Sequence, residues 1–246
     1  MESRDTVNLP AAAEAGRRRA RDPRSAAVVA KLLPVAEALF AARGIDNVSL
    51  REIAVAAGSK NNNVVQYHFG TKEKLLHAIF KWRVTQMEAR RGEMLAQAQA
   101  QGLMGDTGAL LEIICLPHLE VTDEQGHHPY TAFVIQYAQH SWRADETGDW
   151  TEGGRIGPNL HRANSALLEA LAPLRRDVAR ARIQLSNFLF LSAIIRWDQQ
   201  GSALDSGFSI FLNDALRAAK AALAASVTEV PTSPFAALFP ALEGAG

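Results

Sequence analysis

The sequence predicts an all-α fold, with a small three-helix part at the N-terminal end and a larger helical part after it. Two observations carry this. Apolar residues recur at the 3.6-residue helical period in segment after segment, and strand-type alternation is scarce throughout. Clusters of Gly, Pro and Asp separate the periodic segments, as turns between helices require.

The elements follow in order. Val28, Val29, Leu32, Ala36, Leu39 and Phe40 fall on one face of a helix that stops at Gly44. Pro34 lies inside it; lacking an amide hydrogen and colliding with the carbonyl four residues back, it predicts a helix that either starts near that residue or kinks there. In "SLREIAVAAG", Ser49 and Glu52 have the spacing of a capping box, Leu50, Ile53, Ala54 and Ala57 form an inward stripe, and Gly58 ends the helix. After "SKNNNVVQYHF", Thr71 caps a long amphipathic helix with Leu75, Leu76, Ile79 and Trp82 on its apolar side. Further helices are predicted over about 107 to 120, 130 to 143, 158 to 172, 176 to 200 and 208 to 226.

The chain has 246 residues, 48% of them hydrophobic and 21% charged, which suffices for one large domain or two unequal ones. It contains no apolar run of the length that spans a bilayer and no secretory signal, so a cytoplasmic protein with no membrane partner is expected. Cys115, the single cysteine, sits in the apolar run "LLEIICL" and reads as a small buried hydrophobe. Formal net charge is zero, but residues 1 to 80 carry 12 basic against 8 acidic side chains and the remainder 14 against 18. That asymmetry points the N-terminal part at an anionic partner.

Three helices within about 45 residues, the second and third joined by a tight glycine turn, describe a helix-turn-helix, whose second member can enter the DNA major groove. The asparagine run then gains a purpose. Each Asn lowers helix propensity by roughly half a kcal/mol relative to Ala, yet Asn and Gln can bind adenine bidentately. The alternative role is capping and turn formation, and Asn61 is the residue best placed for it. At about 100° per residue, Val65 and Phe69 turn into the small core while Lys60, Asn63 and Tyr67 share the exposed face, with Asn62 and Gln66 on one flank and Val64 on the other. Ser49 and Arg51 at one helix start, and Thr71 and Lys72 at another, are placed to hold phosphates.

These residues resemble a known family. "LFAARGIDNVSLREIAVAAG" followed by "YHFGTKEKLL" is similar to the DNA-binding segment of the TetR family of transcriptional repressors, over roughly residues 28 to 80. Here the segment between the glycine and "HF" is one residue longer, and Gln66 stands where a phosphate-contacting tyrosine is common, with Tyr67 beside it. The resemblance implies a repressor that binds an inverted-repeat operator in double-stranded DNA as a homodimer and is released by a small effector. It also implies that Lys72 contacts phosphate. The implied organisation is a basic arm over 1–24, a helix-turn-helix domain over 25–71, an effector-binding and dimerisation domain over 72–228 and a tail over 229–246. The DNA-binding set is Ser49, Arg51, Lys60, Asn61, Asn62, Asn63, Gln66, Tyr67, His68, Thr71 and Lys72.

Small-molecule pockets are mostly apolar with a few placed polar groups. On that pattern the candidate effector contacts are His118, Tyr130, His140, Trp142, Phe188 and Trp197, for an apolar or aromatic compound. A C-terminal part that answers to a protein partner is the alternative reading. An enzyme or metal protein is not expected. His127 and His128 are adjacent rather than at ligand spacing, and no phosphate loop, cysteine cluster or Gly-x-Ser-x-Gly is present. No catalytic residue, cofactor or metal is therefore assigned.

Overall fold

The computed structural model describes residues 23–143, 154–200 and 207–225. Among them are nine α-helices, one 3-10 helix and no strand. Residues 1–22 of the basic arm and the tail lie outside the described residues, as does the side chain of the effector candidate Trp142. The chain divides into two compact units, one of Met1–Gln86 with Val121–Gly148 and one of Met87–Glu120 with Asp149–Gly246.

In the first unit, α1 (Pro23–Arg43) runs through Pro34 without interruption, so the expected start near that proline does not occur. Pro34 and Ala30 are both exposed, so the helix carries its missing hydrogen bond on its solvent side. Leu32, Leu33, Ala36 and Phe40 form the buried face of α1. It packs on α2 (Leu50–Ala56) and on α6 (Pro129–Arg143), while α2 packs on α3 (Val64–Phe69). An aromatic stack fills the space: Phe40 lies 6.3 Å from Phe133, which stacks 5.7 Å from Tyr137 and 6.0 Å from Tyr130, and Phe80 lies 5.7 Å from Tyr137.

One ion pair is built into this core. Arg83, from the long helix α4 (Lys72–Ala100), donates through Nε and Nη2 to the two carboxylate oxygens of Glu37 at 2.7 and 2.6 Å, and Glu37 is only 1% exposed. Burial pushes the Glu37 carboxyl up, and the hydrogen bonds and charge of Arg83 offset only part of that rise. The guanidinium also lies 3.9 Å over the Trp82 ring and donates to Gln86.

The second unit is centred on α5 (Thr107–Cys115), which follows an Asp106 cap and buries Leu110, Leu111, Ile113, Ile114 and Cys115. A helix apolar on this many sides belongs in a core, and α7 (Pro158–Ala170), α8 (Arg176–Gln200) and α9 (Phe208–Ala224) pack around it. The 3-10 helix Leu116–Glu120 extends α5. Burial pushes the Cys115 thiol up, in keeping with its role as a small hydrophobe. Helix α7 has no cap from its own Gly157; instead Glu88 of α4 accepts the amides of Asn159 and Leu160 at 2.7 and 3.1 Å.

Removing one partner from a buried charge pair leaves the other uncompensated. Glu37→Ala is expected to lower stability by about 3–5 kcal/mol in urea unfolding. Replacing Glu37 and Arg83 together by Leu and Met should cost much less, and equal losses for the two proteins would show that the pair contributes through packing alone.

Candidate nucleic-acid interface

The surface predicted to meet DNA is assembled from α2, α3 and the start of α4, all within the first unit. At the start of α2 the capping box forms in full. Ser49 Oγ accepts the Glu52 amide at 3.2 Å, the Ser49 amide and hydroxyl both donate to Glu52 Oε2 at 2.8 Å, and Arg43 at the end of α1 donates to Glu52 Oε1 at 2.8 Å. Those bonds from Ser49 and then Arg43 lower the Glu52 carboxyl to about 2. Arg51, next to it, is exposed and makes no ion pair among the described residues.

The turn after α2 is a Schellman closure: the Ser59 amide reaches the Ala54 carbonyl at 3.0 Å and the Gly58 amide reaches Val55 at 2.9 Å, with Gly58 at φ +68°. The chain then folds on its own side chains. Ser59 Oγ accepts from the Asn61 amide and donates to the Asn61 carbonyl, both at 3.1 Å. Asn61 Oδ1 accepts the Asn63 amide at 2.9 Å, an Asx turn that feeds α3.

Helix α3 therefore starts at Val64, and the helical wheel extended back to Lys60 does not hold, because 59–63 are turn rather than helix. Asn61 is the structural asparagine; Asn63 is the residue before the helix and its side chain makes no capping bond. Lys60, Asn61, Asn62, Asn63, Gln66 and Tyr67 are exposed, Val65 is fully buried and Phe69 is only half-buried. His68 packs edge-on to Tyr67 at 5.1 Å, and burial lowers its pKa, so the ring is a neutral packing group near pH 7 rather than a cation offered to phosphate.

Gly70, at φ +79°, ends α3, and Thr71 Oγ1 accepts the Lys74 amide at 3.3 Å to start α4. Lys72 Nζ donates to the Ile45 carbonyl at 2.9 Å. The lysine thus ties the start of α4 to the turn after α1, a role its position as a phosphate candidate did not reveal. Arg43 was also absent from the predicted set. The one sequence signal for it was a basic residue in the last turn of α1, because its bond to Glu52 joins different helices.

The candidate effector residues do not form one group. Tyr130 is buried in the aromatic stack and His140 Nδ1 lies 3.4 Å from Asp46 Oδ1, both in the first unit. His118 is buried, Phe188 is half-buried, and Trp197 packs 4.9 Å from Phe208 and 6.1 Å from Phe211, all in the second. No group of metal-ligand type occurs among the described residues.

Residues 32–79 match the model of the N-terminal domain of bacterial regulatory proteins of the tetR family. A crystal structure from Mesorhizobium loti MAFF303099, assigned to the TetR-family transcriptional regulators, is similar at a TM-score of 0.43 and 18% identity, covering 82% of this chain and 98% of that one. No curated protein matches the chain.

The Glu52 carboxyl lies below its ordinary 4.5 in the folded protein. Its stabilisation is therefore complete above pH 4.5 and is lost as pH falls towards 2. In acid titrations followed by circular dichroism, the wild type should lose its advantage over Glu52→Gln within that window. A gap that persists unchanged to pH 2 would dissociate the capping box from the carboxylate.

Proposed function

We infer that this chain, a member of the tetR family of bacterial regulatory proteins through its residues 32–79, is a DNA-binding transcriptional regulator that represses from an inverted-repeat operator as a homodimer in the cytoplasm. One observation carries the reading: Asn62, Asn63, Gln66 and Tyr67 stand exposed on and just before a short helix whose entry is locked by the Schellman closure and the Asn61 turn. Amide side chains held at the start of a helix suit adenine edges in the major groove. Arg51, Thr71 and Lys72, at the starts of α2 and α4, would take the flanking phosphates, with Ser49 holding the start of α2 beside them through Glu52. Lys60 and His68 flank them.

The proposed division is an arm over 1–24, a DNA-binding domain over 25–71 and an effector-binding and dimerisation domain over 72–228. Dimerisation is supported by the outer side of α8 and the start of α9. There Val178, Leu185 and Leu189 are 42%, 63% and 38% exposed, and Phe208 and Ile210 are 37% and 66% exposed. A second copy of the chain covers such a face. Helices α1 and α8 are long and apolar enough to cross a membrane. The internal Glu37–Arg83 pair of α1 and its packing on α6 are instead the habits of a core helix.

Release from DNA by a small apolar or aromatic effector completes the proposal. Tyr130 serves the aromatic stack, His140 the pair with Asp46 and Trp197 the contact with α9. His118 and Phe188 keep the role of candidate contacts.

Mapping bound DNA across the source genome tests the function, and the absence of any enriched inverted repeat would overturn it. On the operator so found, Asn63→Ala should cost about 1–3 kcal/mol of specific binding with little change on unrelated DNA. Asn61→Ala should instead lower thermal stability along with all binding. Leu185→Glu is expected to shift sedimentation from dimer to monomer at micromolar concentration, and a wild type already monomeric there would refute the homodimer.

A further inference from the structure

The projecting first turns of α1 carry a charge pattern that the proposed DNA contacts leave unused. From Pro23 to Lys31 every residue except Ser25 and Val29 is exposed, so the unit's own core does not explain this stretch. Between Pro23 and Ala36 the charged residues are Arg24 and Lys31 and no acid is present. Seven residues apart, these two fall on one side of the helix, with Val28 between them. That spacing places the two cations about 10 Å apart along the axis.

The far end of this rail lies close to the turn after α2. Lys31 Nζ lies 3.8 Å from where a Cβ on Gly58 would stand. Gly58 closes the Schellman turn, and the residues after it, Ser59 to Asn63, lead into α3. No ion pair engages Lys31 among the described residues. An ammonium close to this turn, which leads within a few residues to Lys60 and the asparagines, has the position and charge to meet the backbone phosphate next to the bases proposed for them.

We propose that Lys31 is a DNA phosphate contact, and that the exposed Arg24–Val28–Lys31 side of α1 lies along the DNA backbone beside the helix-turn-helix. The proposal rests on the DNA-binding reading above but adds an element to it. The contact is sequence-independent. It therefore contributes to affinity and salt dependence on every duplex and leaves base preference alone.

The test uses the full chain and a fluorescent duplex of unrelated sequence, with anisotropy titrations from about 50 to 200 mM salt. One lost phosphate contact lowers the slope of log affinity against log salt by about 0.9. Lys31→Ala should therefore lose about 3.5-fold less affinity than wild type across that range. Lys31→Arg should restore the wild-type slope, and Lys81→Ala, at an exposed position elsewhere in the unit, should keep it. Thermal stability is read in parallel. An unchanged slope for Lys31→Ala, with or without a fall in melting temperature, overturns the proposal and leaves Lys31 as a partner of the α2 turn. Failure of the wild type to bind any duplex removes the DNA-binding reading and this contact with it, so the two failures are distinguishable.

Discussion

The bidentate pair between Glu37 and Arg83 is the constraint on which the first unit depends. Burying a carboxylate and a guanidinium costs several kcal/mol for each ion unless geometry and hydrogen bonding offset it. The two short bonds do so only when α1 and α4 stand in one register. An apolar core tolerates sliding by repacking, whereas a buried pair of this kind does not. The start of α4, with Thr71 and Lys72, is thereby held relative to α1, and α1 positions α2 through Arg43 and through its packed face. The orientation of the candidate DNA surface is thus set by a contact some distance along both helices.

The same logic recurs at smaller scale. Glu52 is bound by its own helix start and by Arg43 of the preceding helix, so a carboxylate lying among the proposed phosphate contacts has its charge matched locally rather than left to repel DNA. Lys72 joins the turn after α1 to the start of α4 through the Ile45 carbonyl. Glu88 holds the start of α7 in the second unit by accepting two of its free amides. In each case a side chain of one helix bonds the start of another helix or the turn beside it.

That habit explains what was legible in the sequence. The helices after α4 appear within a few residues of their predicted spans, and the Ser49–Glu52 box and Thr71 cap appear where spacing put them, because periodicity and capping are local. Of the two alternatives at Pro34, a start or a kink, the start does not occur; sequence alone does not show that Pro34 and Ala30 lie on the exposed side of the helix. The extended wheel failed at Lys60 because Ser59 and Asn61 bond to the backbone, and such bonds compete with helix. The Glu37–Arg83 pair, 46 residues apart in the chain, and the dispersal of the effector candidates over two units are long-range facts that no window of sequence contains.

The division of labour among the asparagines bears on how such a surface can change over generations. Ser59 and Asn61 hold the turn, whereas the side chains of Asn62, Asn63 and Gln66 make no hydrogen bond among the described residues. Substitutions at these three exposed positions fall in the class that shifts stability by no more than about half a kcal/mol. Chemical identity at the proposed reading positions is thereby uncoupled from folding. On the proposed reading, a lineage of such chains could change its DNA preference by single steps without first acquiring a stabilising change elsewhere.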